Sequence, residues 1–328
     1  MSFKYMLGAR GETGFGSAST AEAVCSNWDG KGCVALVTGA AAGLGYESAR
    51  VLAQRGAHVV VAVRSQVRAE ATATRLRTDV PGAKVTPLEL DLSSLASVRS
   101  AVDAFKATGL PLNILLLNAG IMACPAFANS KDGFELQWAT NHLGHFALTQ
   151  GLLEVMLTSA SGSGREGRVV VLSSMGHHLF EVPGGINFDA LRSGADYSPF
   201  KAYGVSKLCN ILFTRELQRQ LAGRWLERLI TILGRSGGGG GRCTGFRTAA
   251  VSLQFLLFKP LAKTIAQGAA TQMLLATAPN VVPGEYYSDC NLAPSSPASH
   301  DGELGARLWA FSVEAVRKEA EEAVKRPA

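Results

Sequence analysis

The chain has 328 residues, of which 18% are charged and 47% hydrophobic, with a formal net charge of +6. That apolar fraction is enough to offset the entropy of ordering a folded chain, which excludes intrinsic disorder over most of its length. Its basic residues are scattered, without Lys/Arg runs or interleaved aromatics, which excludes a nucleic-acid binder as the leading reading, and no run of about 18 apolar residues offers a transmembrane helix.

Residues 1–29 read as an N-terminal extension. Lys4 and Arg10 among several Ser and Thr give a faint transit-peptide signal that Glu12 and Glu22 dilute; a flexible extension is the plainer expectation. From Cys33 a β-then-α alternation begins. Cys33–Thr38, Ala57–Val63, Val85–Leu90, Leu112–Leu117, Val169–Ser173 and Arg228–Leu233 are short apolar runs suited to buried parallel strands. Between them Gly43–Gln54, Gln66–Thr78, Ser94–Thr108, a long segment from Gly133 to about Ser159, and Lys201–Ala222 have helical spacing. This alternation predicts one doubly wound parallel sheet in three α/β/α layers, spanning residues 30–312 as a single domain. Residues 234–250, with five consecutive glycines, form an irregular segment. Glu303–Lys325 reads as a packing helix that becomes a charged tail over 313–328.

The six cysteines (Cys25, Cys33, Cys124, Cys209, Cys243 and Cys290) show no CxxC pair or zinc spacing, and reduced thiols are expected. Among the histidines, His142 and His145 are three residues apart, and His177 and His178 adjoin; neither pair has a well-placed third ligand, so no catalytic metal is expected.

In such a sheet, ligands bind outside the carboxyl ends of the strands. After the first strand comes Thr38-Gly39-Ala40-Ala41-Ala42-Gly43-Leu44-Gly45, opening a helix. Gly39 permits a tight turn, and Gly43 and Gly45 permit a diphosphate to approach free N–H groups at the helix N-terminus. At the end of the second strand Arg64 stands where an acid would favour NAD. A guanidinium there suits a 2′-phosphate, so NADP(H) is the expected cofactor. Tyr203 and Lys207 share one helix face at i, i+4 spacing; an ammonium beside a phenol favours the phenolate. Ser173-Ser174 follows the fifth strand, Asn118-Ala119-Gly120 the fourth, and Asn141 lies in ATNHLGHF on the long helix.

With these elements in order, the chain resembles the short-chain dehydrogenase/reductase superfamily, strongly over roughly residues 30–233 and loosely over 265–312, which implies a Rossmann-like fold. The phrases LNAGIMACP, ATNHLGHF, AYGVSKLCNILFTREL and GEYYSDCN are similar to the branch of retinol dehydrogenases, WW-domain oxidoreductases and plant relatives. The opening FGSASTAEAV resembles the plant members associated with the import translocon of the chloroplast inner envelope.

The resemblance implies that Tyr203 is the general acid/base, that Ser174 hydrogen-bonds the substrate oxygen, and that Lys207 binds the nicotinamide ribose and lowers the Tyr203 pKa. It implies further that Asn141 holds a water linking Lys207 to solvent. Gly39, Gly43, Leu44 and Gly45 would line the pyrophosphate and Arg64 the 2′-phosphate. Asp91 and Leu92 would edge the adenine, with Asn118, Ala119 and Gly120 along the ribose. It also implies a homodimer through the long helices, and a chloroplast location peripheral to the envelope, with the cytoplasm as the alternative.

One departure is plain: the family's Pro-Gly turn and following Thr after the sixth strand are replaced by Gly234-Arg235-Ser236, and neither Thr244 nor Thr248 lies in the usual setting. Two functions from different classes follow. The first is an NADP(H)-dependent oxidoreductase acting on a small carbonyl or alcohol substrate, lipophilic in the favoured reading. The second is an NADPH-sensing component of chloroplast protein import with little or no turnover.

Overall fold

The computed structural model describes residues 9–181, 184–221, 231–234, 241–242 and 263–325. In chain order its elements are α1 (Ala21–Val24), β1 (Val34–Thr38), α2 (Gly43–Gln54), β2 (His58–Val63), α3 (Gln66–Asp79), β3 (Val85–Glu89), α4 (Leu95–Ala107), β4 (Ile114–Leu117) and β5 (Ile121–Met122). There follow α5 (Leu136–Trp138), a π-turn (Ala139–Leu143), α6 (Gly144–Ser163), β6 (Arg168–Leu172), α7 (Gly176–Leu179), α8 (Ala190–Ser193), α9 (Pro199–Leu221), β7 (Thr231–Gly234) and β8 (Gly241–Arg242). The chain closes with α10 (Ile265–Thr277), β9 (Tyr286–Ser288), β10 (Asn291–Leu292), a 3-10 turn (Pro297–His300) and α11 (Gly302–Lys325).

The main sheet has the order β10-β9-β7-β6-β4-β1-β2-β3 and is parallel except for the β9–β10 pair. β1, β4 and β6 are buried throughout, because helices cover both faces; this is why they read as unbroken apolar runs. Ala35, Val37, Val59 and Val61 face the layer of α2, α3 and α10, while Val34, Leu36, Val60 and Leu115 face the layer of α4, α6 and α9. Pro87 sits in β3, an edge strand, where its missing N–H breaks no ladder bond. The chain direction across the sheet reverses between β1 and β4, and the predicted ligand-binding segments gather there.

Local chemistry sets the helix ends. Ser94 caps α4 by accepting from the Ser97 N–H, and Thr264 and Gln267 form a reciprocal capping box on α10. Gly164, left-handed at φ 64°, stops α6.

Four expectations need correction. The long helix does not run unbroken from Gly133: it starts at Leu136 and passes through the π-turn before α6. The N-terminal segment is not a flexible extension over residues 9–29. Thr20 caps α1, and Ala21, Val24 and Cys25 are buried in the core against α10. Thr13 Oγ donates to the Cys290 carbonyl at 2.9 Å, and Asn291 Nδ2 to the Phe15 carbonyl at 2.9 Å, stapling this segment to the β9–β10 turn. The boundary at 313 falls inside α11, a continuous helix in which Ser312 and Ala315 are buried. Finally, Cys25, Cys33, Cys209 and Cys290 are free and buried, but Cys124 is disulfide-bonded, to a partner outside the described residues. Of the irregular stretch 234–250, Gly234, Gly241 and Arg242 fall within the described residues; Thr244 and Thr248 lie outside them.

Candidate active site

The site is built where β1, β2, β3, β4 and β6 end. Gly39 takes φ +68° and Gly43 φ +58°, a region that side chains disfavour, and the Gly39 N–H donates to Ala62 O at 2.9 Å. The glycine turn therefore lies against the end of β2, two residues before Arg64. No side chain caps α2 at Ala42, so its first N–H groups are left for an anion. A Cβ at Gly45 would come within 2.4 Å of Asn118 Nδ2 and 2.5 Å of Gly39 O, so only glycine fits. Leu44 is buried and its carbonyl accepts from Gln272 Nε2 at 3.3 Å.

Arg64 is exposed and makes no hydrogen bond or ion pair among the described residues, leaving its guanidinium available to an anion. Leu90 N donates to Val63 O at 2.8 Å, which sets Asp91 and Leu92 beside Arg64. Asp91 is partly buried, which raises its pKa, but the Ser93 hydroxyl and N–H and the Lys131 ammonium outweigh this and hold it below the ordinary value. Leu92 packs in the core, its carbonyl close against Gly144. Asn118 Nδ2 donates to Thr38 O at 2.9 Å and Ala119 N to Thr38 Oγ at 3.0 Å, so these residues are tied to the end of β1. Gly120 lies between Asn141 and Lys207: a Cβ there would sit 3.2 Å from Asn141 Oδ1 and 3.6 Å from Lys207 Nζ.

Tyr203 and Lys207 project together from α9, with Nζ 5.6 Å from the centre of the phenol ring. Nζ donates to Leu172 O at 3.0 Å, and burial pushes the Lys207 pKa down to about 8. Ser174 follows β6, and its Oγ accepts from the Gly176 N–H at 3.2 Å. Gly176 in turn lies against the Tyr203 ring, where a Cβ would come within 2.9 Å of Cε1. Ser174, Tyr203 and Lys207 are thus brought to one place by β6, α7 and α9.

Asn141 is fully buried in the π-turn. Its Oδ1 accepts from Ile121 N at 2.8 Å, and its Nδ2 donates to Ile121 O at 2.9 Å and to Ser206 Oγ at 3.0 Å. Both amide protons are committed to protein, so the side chain acts as a clamp between β5 and α9. The extra residue of a π-turn is what turns this side chain inward from a helix.

A sequence profile described as short chain dehydrogenase matches residues 33–232. The chain belongs to the short-chain dehydrogenase/reductase family. Members of this family are oxidoreductases that work with nicotinamide cofactors. The chain is 43% identical over 316 residues to the short-chain dehydrogenase TIC 32 B, chloroplastic, of Brassica napus, covering 95% of this chain and 97% of that one. It is 39% identical to human retinol dehydrogenase 12, covering 86% of each. To the human WW domain-containing oxidoreductase it is 36% identical, covering 91% of this chain and 71% of the relative. Among solved structures, an uncharacterised protein from Mycobacterium paratuberculosis superposes with a TM-score of 0.68 at 33% identity, covering 92% and 98% of the two chains.

Sequence reasoning saw Thr38 and Ser206 inside the motifs and His145 only as a rejected metal ligand, gave none of them a role, and passed over Gln272; these are the buried groups that tie the site together. Their roles depend on partners far away in sequence or on the π-turn, which motif spacing does not reveal. Among the described residues, no group of three or more His, Cys, Asp or Glu could hold a metal ion, and no helix is long and apolar enough to cross a membrane.

Proposed function

We propose that this short-chain dehydrogenase/reductase is an NADP(H)-dependent enzyme transferring hydride between the nicotinamide and a carbonyl or alcohol substrate. The observation that carries the reading is the meeting of Tyr203 and Lys207 beside Ser174 at the carboxyl edge of the sheet. The cradle fits a dinucleotide: Gly39, Gly43 and Gly45 leave room for a diphosphate at an uncapped helix N-terminus.

When bound, the cofactor supplies or accepts the hydride. The chain's own groups position and polarise. Tyr203 Oη gives a proton to the carbonyl oxygen during reduction and takes it back during oxidation. Ser174 Oγ donates a hydrogen bond to that same oxygen. The Lys207 ammonium favours the phenolate of Tyr203 and binds the ribose hydroxyls. Asn118, Ala119 and Gly120 run along the ribose, Asp91 and Leu92 along the adenine edge, and Leu44 with the glycines along the pyrophosphate. Asn141 serves by holding the β5 segment against α9 through its side-chain amide.

The surroundings support a lipophilic substrate. Met122, Leu179 and Phe200 expose apolar side chains, and the Phe200 ring lies tilted 5.1 Å from that of Phe180, which packs beside Gly176 and Gly204. By likeness to the plant relatives we place the protein in the chloroplast, peripheral to the envelope, with the cytoplasm as the alternative.

Fluorescence titration tests the cofactor. NADPH should bind at least about tenfold more tightly than NADH, and Arg64→Asp should erase that difference, since charge-assisted hydrogen bonds are worth roughly 1.5–3 kcal/mol. Equal affinities in the unaltered protein would count against the NADP(H) assignment.

A further inference from the structure

His145 stands in the first turn of α6, 1% exposed, and no step assigned above uses it. Its Nδ1 lies 3.0 Å from the Asn141 carbonyl oxygen. A carbonyl only accepts, so Nδ1 carries the proton. Nε2 lies 2.9 Å from Thr38 Oγ, which already accepts from Ala119 N–H at 3.0 Å. Two assignments satisfy these distances. Either Thr38 donates to a bare Nε2, or it donates to Leu116 O at the longer 3.4 Å and the ring is a doubly protonated cation. Complete burial decides for the neutral ring: it pushes the His145 pKa down to about 3, and the nearby Lys207 charge acts in the same direction.

The hydrogen bonds then run in one direction, from Ala119 N–H to Thr38, from Thr38 to His145 and from His145 to the Asn141 carbonyl. From Asn141 the side chain continues to Ser206 Oγ at 3.0 Å, and Ser206 donates to the Tyr203 carbonyl at 2.7 Å. One end of this series is the residue before Gly39, at the cofactor cradle. The other is the backbone of the tyrosine placed at the substrate.

We infer that His145 is a positioning residue, a neutral imidazole strut that fixes the distance between the dinucleotide cradle and Tyr203 through Thr38 on one side and Asn141 on the other. The inference rests on the reading of Tyr203 as the acid/base. It has a mechanistic consequence, because hydride transfer and proton transfer must converge on one substrate carbon and oxygen, and a displacement of about 1 Å can cost up to a hundredfold in rate. The imidazole does not itself exchange protons at working pH.

The test compares the full chain with His145→Phe, Thr38→Val, Thr38→Ser and Tyr203→Phe. NADPH-binding sites are counted by fluorescence titration, and NADPH oxidation is followed with a panel of aldehydes and ketones. Turnover per NADPH-binding site should fall at least tenfold in His145→Phe and in Thr38→Val, with the pH dependence of the remaining rate keeping its shape. Thr38→Ser, which keeps the hydroxyl, should recover most of what Thr38→Val loses. A residue with a merely structural role would lower the yield of folded protein and leave turnover per site unchanged. Turnover per site within twofold of the unaltered protein in both His145→Phe and Thr38→Val overturns the inference, and if His145→Phe does not fold, the Thr38 pair alone decides. Full turnover in Tyr203→Phe, or none in the unaltered chain on any carbonyl, overturns instead the acid/base reading on which the inference rests.

Discussion

At the scale of single residues, the site is made of groups held at a cost to the fold. Lys207 is the clearest. Burial lowers its pKa from 10.5 to about 8, so below pH 8 the charged amine is carried in both the folded and unfolded states, and the folded state bears the full desolvation penalty. Between pH 8 and 10.5 the unfolded chain holds the proton more firmly, stability rises with pH, and the penalty is relieved. The shift corresponds to about 3 kcal/mol. Lys207→Met should therefore raise the thermal midpoint at pH 7, with the gain shrinking away as the pH passes about 10. Leu172 O would keep its second donor, Asn210 Nδ2 at 2.9 Å. A lower midpoint at pH 7 in calorimetry would show that the amine is a net stabiliser. Gly45 makes the complementary case. Gly45→Ala would drive a methyl against Gly39 O and Asn118 Nδ2. We expect it to weaken NADPH binding by roughly tenfold or more, a loss of about 1.4 kcal/mol; unchanged affinity on titration would mean the turn yields more easily than its contacts indicate.

At the scale of elements, what the sequence displays is what depends on near neighbours. The buried strands announce themselves as β-branched runs, the glycine turn by its spacing, and Tyr203 with Lys207 by one helical turn. The π-turn at Ala139–Leu143 does not, because it is fixed by Asn141 reaching back to Ile121 and across to Ser206. Thr38 and His145 likewise meet across 107 residues of chain. The N-terminal segment reads as a flexible extension because its partners, α10 and the β9–β10 turn, lie at the other end of the sequence. The two tyrosines of β9 face opposite layers, Tyr286 against Ile211 and Tyr287 with the α10 side, a two-sided burial that a short strand of mixed residues does not advertise.

At the scale of the whole molecule, α11 changes what the chain can assemble into. It packs on α9 and α4, with Trp309 against Phe146 and Phe213, and Phe311 against Phe134 and Trp138. His142 and Ser312 are hydrogen-bonded beneath it at 3.0 Å, and Arg99 pairs with Glu319. Its outer face carries Glu314, Arg317, Lys318 and Glu321, paired along the helix and exposed to water. The C-terminal helix therefore covers part of α9, one of the long helices through which the resemblance implies a homodimer, and we expect that cover to keep a second copy off. Sedimentation should find one species at the subunit mass of 34.5 kDa; a stable dimer would contradict this account of α11.

The central claim is that a phenol on α9 moves the proton at the site where the dinucleotide binds. It is tested most directly by Tyr203→Phe, which removes one oxygen and leaves the glycine cradle untouched. Measured side by side, NADPH affinity should stay within about twofold while turnover of carbonyl substrates falls by at least about a hundredfold, the lower end of what general acid catalysis contributes. Turnover that survives the change, or affinity and turnover lost together, would contradict it.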